Sequence, residues 1–292
     1  MKNKHSYTMQ KTAVESWDLV IKPVHGWFNI NIKEIVQYWG LILLFVRRDF
    51  VTFYKQTILG PLWYIIQPIF NTLVFTLIFG KVAKIPTDGI PPFVFYLSGT
   101  VVWGYFAHCL NETSKTFVTN AQIFGKVYFP RITVPIAVGI TAVLQFIIQF
   151  AIFLTFFFYF KLNGAEIYMN MYVFLLPLLI LQMGILSIGI GLIISSMTAK
   201  YRDLTFALGF FVQLWMYLTP IVYPLSEVPN EYRLFILLNP MTAIVEFFRK
   251  SFLGISALEP IHYLISIITT IICFILGVIL FNRTEKSFMD TV

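Results

Sequence analysis

The segment Arg47–Pro68 reads RRDFVTFYKQTILGPLWYIIQP and joins a basic, aromatic-rich stretch directly to a hydrophobic one. Projected as a helix at about 100° per residue, its apolar side consists of Leu43, Val46, Phe50, Phe53 and Tyr54. The opposite side carries Arg48, Thr52, Lys55 and Gln56. Two such sides are typical of a helix that lies in the membrane surface. We predict an amphipathic interfacial helix over 33–58, after which the Gly60-Pro61 break turns the chain into the bilayer.

The composition indicates an integral membrane protein. Hydrophobic residues make up 58% of the chain and charged residues 12%, against about 25% charged in an average soluble domain. The net charge of +7 is spread along the loops between apolar runs, as in the cytoplasmic loops of membrane proteins. We therefore expect membrane lipid, and no nucleic acid, as a partner.

Apolar runs of about 18 or more residues predict six membrane-spanning helices and an all-α fold. The runs are Leu62–Phe79, Phe93–Leu110, Val134–Phe160, Met171–Met197, Leu204–Tyr223 and Ile261–Phe281. An even number of spans places both termini on one side, and the excess of Lys and Arg on that side makes it the cytoplasm. The expected organisation is an N-terminal extension over 1–32, the interfacial helix over 33–58, a six-span domain over 59–282 and a cytoplasmic tail over 283–292.

The region 226–256, between the last two predicted spans, breaks this regular pattern. It holds two apolar pieces of about ten residues, each too short to span, split at Asn239-Pro240. Asn239 is a suitable N-cap and Pro240 suits the first helical position. We predict a re-entrant helical hairpin that dips into the outer leaflet, and an amphipathic surface loop is the alternative.

The connection over 111–131 is long enough for a short helix across the cytoplasmic face. Phe117, Ala121 and Phe124 recur there at helical spacing. The segment is either a docking site for a soluble partner or a solvated connector, and the sequence favours neither.

The sequence has no pattern typical of a catalytic or metal site. No histidine forms a metal-binding pattern with another histidine or with a carboxylate three or four residues away, and the Gly-Lys pairs at 80–81 and 125–126 lack the remainder of a nucleotide-binding loop. We expect no catalytic residue, no metal and no cofactor in this chain. The predicted spans are also nearly free of charge, which argues against ion-driven transport. Energy is therefore expected from a separate protein.

Polar and aromatic side chains inside the spans are the candidates for a substrate path. Thr141, Gln145 and Gln149 form one stripe, which either bonds to neighbouring helices or lines a hydrated path. Ser187, Gly191 and Ser195 form a ridge of small residues that predicts close helix packing. Tyrosine and tryptophan rings suit stacking on sugars, although membrane cores use them as well. The candidate path residues are Trp63, Tyr64, Gln145, Gln149, Trp215 and Tyr217.

Several short motifs occur in an order that matches a known family. They are Arg48-Asp49, Tyr54-Lys55-Gln56, Leu59-Gly60-Pro61-Leu62-Trp63 with Pro68, Lys126-Val127-Tyr128-Phe129-Pro130-Arg131, Tyr201-Arg202-Asp203, Thr219-Pro220-Ile221 with Tyr223, Asn239-Pro240, and Arg283 with Glu285. With these motifs the chain resembles the membrane-spanning permease subunit of ABC-type polysaccharide exporters, which serve O-antigen, capsule or teichoic-acid export. The N-terminal extension is longer than in shorter members.

The resemblance implies a homodimer in the bacterial inner membrane, with two copies of a separate ATPase subunit that binds ATP and Mg. The substrate would be an undecaprenyl-linked glycan. Implied ATPase-coupling residues in 111–131 are Phe117, Phe124, Tyr128 and Arg131. The implied outer gate consists of Asn239, Pro240, Phe247 and Phe248. Because of their positive charge and their predicted position at the inner rim of the membrane, the candidates for contact with pyrophosphate or anionic lipid are Arg47, Arg48 and Lys55.

Two other functions fit the same spans. The first is export of a small amphiphile or drug by the same fold. The second is a polyprenyl-phosphate-handling membrane enzyme, which needs catalytic groups at the membrane face. The carboxylates available there, Asp49, Glu112 and Asp203, are scattered over separate segments.

Overall fold

The computed structural model describes residues 32–55 and 58–288, and within them every regular element is a helix and no strand occurs. The predicted extension over 1–32 therefore lies almost entirely outside the described residues. The α-helices are α1 (Ile32–Gln37), α2 (Trp39–Lys55), α3 (Trp63–Phe75), α4 (Pro92–Ser114), α5 (Thr116–Phe124), α6 (Thr133–Leu162), α7 (Leu176–Thr198), α8 (Leu204–Leu218), α9 (Asn230–Leu238), α10 (Pro240–Leu253) and α11 (Pro260–Phe288). A π-helical turn, Thr76–Val82, continues α3.

Five helical segments are long and apolar enough to cross a membrane. They are Trp63–Val82, Pro92–Ser114, Thr133–Leu162, Met171–Thr198 and Pro260–Lys286. The expected span over Leu204–Tyr223 is not confirmed as a full crossing. Its helix, α8, has 15 residues and is about 22 Å long, against a hydrocarbon thickness of about 30 Å. The helix ends where Thr219 turns extended before Pro220, which lacks the N–H that a further turn needs.

Helix α7 packs between α4 and α11, and glycines allow the close approach. A Cβ on Gly191 would lie 2.6 Å from the Cβ of Thr113 on α4, and one on Gly189 would lie 2.7 Å from the backbone of Phe274 on α11. Ser187 and Ser195 are fully buried on the same helix. The prediction that the small-residue ridge serves close packing is confirmed.

Helix α2 meets protein on one side and leaves part of its predicted apolar side open. Among its described side chains, Ile42, Phe45 and Val46 are buried, whereas Leu43 is 48% exposed. The reason is a protein contact: α2 packs along α6, and the ring of Phe45 lies 5.6 Å from that of Phe129. A turn at Tyr38 also separates α1 from α2. The interfacial position of this helix stays a prediction, and its residues 56 and 57 lie outside the described chain.

Gly277→Ala is expected to destabilise the protein by about 1–3 kcal/mol, because the added methyl group would overlap the carbonyl oxygen of Gly189 and push α7 and α11 apart. The measurement is the temperature at which detergent-purified protein loses its monodisperse gel-filtration peak. Gly40→Ala is the matched control, since no atom lies within 4 Å of a Cβ at Gly40. Equal midpoints for the two variants would contradict the packing argument.

Candidate functional site

A polar cleft of about 640 Å³ lies among α3, α4, α6 and α8. We call it the amide cleft, because six amide side chains line it: Gln67, Asn71, Asn111, Gln145, Gln149 and Gln213. Trp103, Thr100 and Tyr217 add rings and hydroxyl groups to the same wall. So many neutral hydrogen-bonding groups are unusual between apolar helices, where polar side chains normally mark a substrate pathway.

A second cleft of about 760 Å³ adjoins the first, on the side of α2 and α5. We call it the entry cleft; its wall includes Arg48, Thr52, Tyr64, Asn120 and Thr141. His108 and Glu112 of α4 line both clefts, so the two spaces meet along that helix. Together they form one polar route through part of the bundle.

The charged groups in both clefts compensate one another. Arg48 Nε lies 2.8 Å from Asp49 Oδ1, and Lys115 Nζ lies 3.0 Å from Glu112 Oε1. Each cation therefore has a carboxylate beside it on its own helix. These partly exposed pairs add little stability, but they leave no net formal charge from lysine, arginine, aspartate or glutamate on the described lining.

The polar stripe of α6 lies on the wall of this route. Thr141 faces the entry cleft, while Gln145 and Gln149 line the amide cleft. The two glutamines are 8% and 4% exposed, and the Oε1 atoms of both lack a hydrogen-bond partner within the described residues. A Cβ on Gly104 would lie 3.0 Å from Gln149 Oε1, so only glycine fits there without a shift. Of the two interpretations of the stripe, this geometry favours the hydrated path.

The candidate path residues do not all lie together. Tyr217 lines the amide cleft with Gln145 and Gln149, and Tyr64 lines the entry cleft. Trp63 lines neither cleft and is 43% exposed. Trp215 is also absent from both linings: its ring packs edge-on against Phe106, and its Nε1 donates to Asn239 Oδ1 at 3.1 Å. The indole is turned toward the start of α10, so it contacts other helices rather than either cleft.

Sequence reasoning missed four of the amides, Gln67, Asn71, Asn111 and Gln213. The signal was present in the spacing, since Gln67 and Asn71 are separated by four residues within an apolar span. Gln213 and Tyr217 repeat that spacing on α8. Helical residues four apart share a face, so polar pairs of this kind on several spans predict a common polar wall.

The connection over 111–131 forms the end of α4, then α5 and a turn. Phe117 and Phe124 are buried, and Phe117 stacks on Phe281 of α11 with ring centroids 4.6 Å apart. Arg131 is buried as well; its Nη1 donates to the Glu285 carbonyl oxygen at 2.7 Å. Burial lowers the pKa of this guanidinium, and the Glu285 carboxylate opposes that shift.

Of the four candidate coupling residues, Tyr128 is exposed on the surface of the protein, whereas Phe117, Phe124 and Arg131 are buried. The Tyr128 side chain is 55% exposed, beside an equally exposed Val127. Phe117 and Arg131 hold the connection against α11, and Phe124 packs within it against Phe117 and Phe129. The helix expected in this segment is thus present, and a partner that docks here meets the turn that follows it.

The three candidate cations differ in their surroundings. Arg48 is paired with Asp49 and lies over the ring of Phe45, 4.8 Å from its centroid. Arg47 and Lys55 are exposed. Contact with an anion outside the protein is therefore easier for Arg47 and Lys55 than for Arg48.

The predicted hairpin region consists of α9 and α10, and its N-cap is confirmed. Asn239 Oδ1 accepts from the Met241 backbone N–H at 3.1 Å, with Pro240 at the first helical position. Phe248 is fully buried against Phe153, while Phe247 is half-buried against Tyr263. The role of Asn239, Pro240, Phe247 and Phe248 as a gate stays a prediction, as does a re-entrant path.

Arg249 anchors α10 to the end of α8. The side chain is 1% exposed; its Nη2 donates to the Ile221 carbonyl oxygen at 2.9 Å, and Nη1 lies 3.4 Å from Glu246 Oε1. The guanidinium also covers the ring of Phe95 on α4, 3.7 Å from the centroid. One buried cation thus joins three helices and satisfies backbone carbonyls left by the break at Pro220.

Arg249→Met is expected to cost about 3–5 kcal/mol, because it leaves the Glu246 carboxylate buried without its cation. The double variant Arg249→Met/Glu246→Gln should recover part of that loss. Arg233→Met is the matched control: Arg233 lies in the same hairpin and donates to the Ala257 carbonyl at 3.2 Å. Thermal midpoints of purified protein give the comparison. A double variant as unstable as the single one would argue against the ion pair.

Comparisons with known proteins agree with this architecture. The family model described as "ABC-2 type transporter" matches residues 40–253. The chain is 26% identical to an O-antigen export system permease protein, RfbA, of Klebsiella pneumoniae, over 90% of this chain and 99% of that protein. It is 26% identical to the RfbA of Myxococcus xanthus, over 76% of this chain and 83% of that protein. It is 25% identical to the polysialic acid transport protein KpsM of Escherichia coli, over 84% of this chain and 93% of that protein. A match over most of the chain, which folds as a helical bundle with five helices long and apolar enough to cross a membrane, shows that this protein belongs to the ABC-2 type transporter family.

Proposed function

We propose that this chain is the permease subunit of an ABC transporter that exports a lipid-linked polysaccharide of the O-antigen or capsule type across the bacterial inner membrane. The observation that carries the proposal is the amide cleft within a bundle of the ABC-2 type transporter family. Similarity to O-antigen export permeases over nearly the whole chain supports the same substrate class.

The lining of the amide cleft suits a sliding sugar chain. Amides donate and accept hydrogen bonds, so they match hydroxyl groups in either orientation. Trp103 and Tyr217 offer flat faces for sugar rings and one polar group each. Many weak neutral contacts hold a glycan without trapping it at one position, which is what stepwise export requires.

We further propose that ATP and Mg bind to a separate ATPase subunit, present in two copies, which docks at the exposed turn around Tyr128. This places the α2 and α5 end, with both termini, in the cytoplasm, where Arg47 and Lys55 meet a pyrophosphate or anionic lipid. It also makes the α9–α10 hairpin the outer gate. The proposal includes a homodimer, in which a second copy would cover the open side of α3 and α8, where Phe70, Phe206 and Phe210 are exposed.

The charge pairs count against the enzyme alternative. Asp49 and Glu112, the carboxylates of the entry cleft, are each paired with a neighbouring cation. A general acid or base needs a carboxylate free to exchange a proton with its substrate, and these two are held by neighbouring cations. No observation within the described residues favours a small amphiphile over a glycan.

Deletion of the gene tests the proposal. We expect lipid-linked glycan to accumulate on the cytoplasmic face and surface glycan to disappear, and a plasmid-borne copy to restore it. Gly104→Leu should fail to restore export, because its side chain would fill the amide cleft beside Gln149. Gly40→Leu is the control in an open position and should restore it.

Surface glycan is measured by antibody or lectin labelling, and protein amounts by immunoblot. Normal surface glycan in the deletion strain would refute the proposed function. Full export by Gly104→Leu would show instead that glycan does not pass through the amide cleft.

Tyr128→Ala separates docking from folding. We expect its thermal midpoint to stay close to that of the unaltered protein, because the side chain is exposed and its hydrogen bond to the Glu34 side chain lies at the surface. We expect its affinity for the ATPase to fall about tenfold or more, as for an interfacial aromatic anchor. Phe124→Ala should instead lower stability by about 3–5 kcal/mol, because Phe124 is a buried ring. Binding is measured by pull-down titration in detergent, and unchanged affinity in Tyr128→Ala would remove this turn from the interface.

A further inference from the structure

The two clefts are electrically neutral along the lining that the structure describes. Among those residues, the lysines and arginines are Arg48 and Lys115, and each has a carboxylate within 3.0 Å. Beyond these pairs the walls carry amides, hydroxyls, aromatic rings and His108. An anionic group that entered would find both of these cations already paired.

The buried glutamines specify the chemistry further. Gln145 and Gln149 are more than nine-tenths buried, and their Oε1 atoms have no hydrogen-bond partner in the described chain. An amide oxygen needs a donor, and a sugar hydroxyl supplies one. A carboxylate, sulfate or phosphate diester supplies acceptors only, so it leaves these oxygens unsatisfied and adds repulsion.

Moving an anion into this space also removes its hydration. A charge buried among membrane helices is tolerated when a counter-charge or several donors replace the lost water. Here the nearby cations are paired, and the remaining donors are neutral amide, indole and hydroxyl groups, which replace the hydration of a hydroxyl group more fully than that of an anion. The lining therefore discriminates by charge rather than by sugar identity.

We infer that the glycan exported by this permease is uncharged along its repeating units, and that glycans bearing carboxylate, sulfate or phosphate in each repeat are excluded by the amide cleft. This rests on the proposed function, of which it narrows the substrate class.

The test uses proteoliposomes that contain the full-length chain with its ATPase. Two synthetic polyprenyl-pyrophosphate glycans of equal length are compared, one built of glucose alone and one with a glucuronic acid in every repeat. Export is measured as ATP-dependent protection from an external glycosidase, at about pH 8, where a histidine of ordinary pKa is uncharged. We expect the neutral glycan to move about 100-fold faster. Equal rates, or faster export of the acidic glycan, would overturn the inference and leave the proposed function standing; export of neither would overturn the proposed function, and the inference with it.

Variants locate the selectivity within the cleft. Gln145→Lys places an unpaired cation on the wall and should reduce the preference for the neutral glycan about tenfold or more. Gln213→Lys introduces the same charge from the exposed side of α8, where folding is not at risk. The control is Gln182→Lys, since Gln182 lies outside both clefts and donates to Ser266 Oγ at 2.9 Å. An unchanged preference in both cleft variants would show that the amide cleft does not select by charge.

Discussion

The close crossing of α7 with α4 and α11 determines the rest of the structure. At this crossing Gly189 and Gly277 bring the backbones of α7 and α11 into contact, and Gly191 brings α7 against the Thr113 side chain of α4. None of the three positions has room for a Cβ. Lipid tails are as apolar as leucine, so close packing, rather than the hydrophobic effect, holds helices together in a membrane. This crossing fixes α4, and α4 in turn carries one wall of both clefts.

The clefts exist because α4 is packed differently on its two sides. Toward α7 it buries Tyr105 and Thr113, and Cys109 lies in the same core. Toward α3 and α8 it presents groups that border open space, among them Gly104 and His108. Helix α8 buries just Leu208 and Val212 among its described side chains. The clefts therefore lie between helices that pack closely (α4 with α7) and a helix that makes few buried contacts (α8). Movement of α8 would widen the amide cleft without disturbing the packing of α4 on α7.

Features governed by local chemistry were predictable from the sequence. The ends of the long spans, the Asn239 cap with Pro240 and the small ridge of α7 follow from hydropathy, capping and residue size. Features decided by distant contacts were not. The buried side of α2 depends on Phe129, which lies 84 residues from Phe45 along the chain but packs against it, and the position of the Trp215 indole depends on Asn239. The amide cleft could not be predicted as a whole, because it depends on how four helices align their polar side chains. The spacing of Gln145 and Gln149 indicated one of its walls.

Helix α11 runs from one end of the bundle to the other as a single rod of 29 residues, about 43 Å long. At one end Phe281 stacks on Phe117, and Glu285 binds Arg131. At the other, Ser266 Oγ donates to the Pro240 carbonyl oxygen at 2.8 Å, at the first residue of α10. Helix α11 therefore links the connection over 111–131 to the start of α10 by one continuous element, so a displacement beside Tyr128 has a path to the opposite end of the bundle that does not run through either cleft.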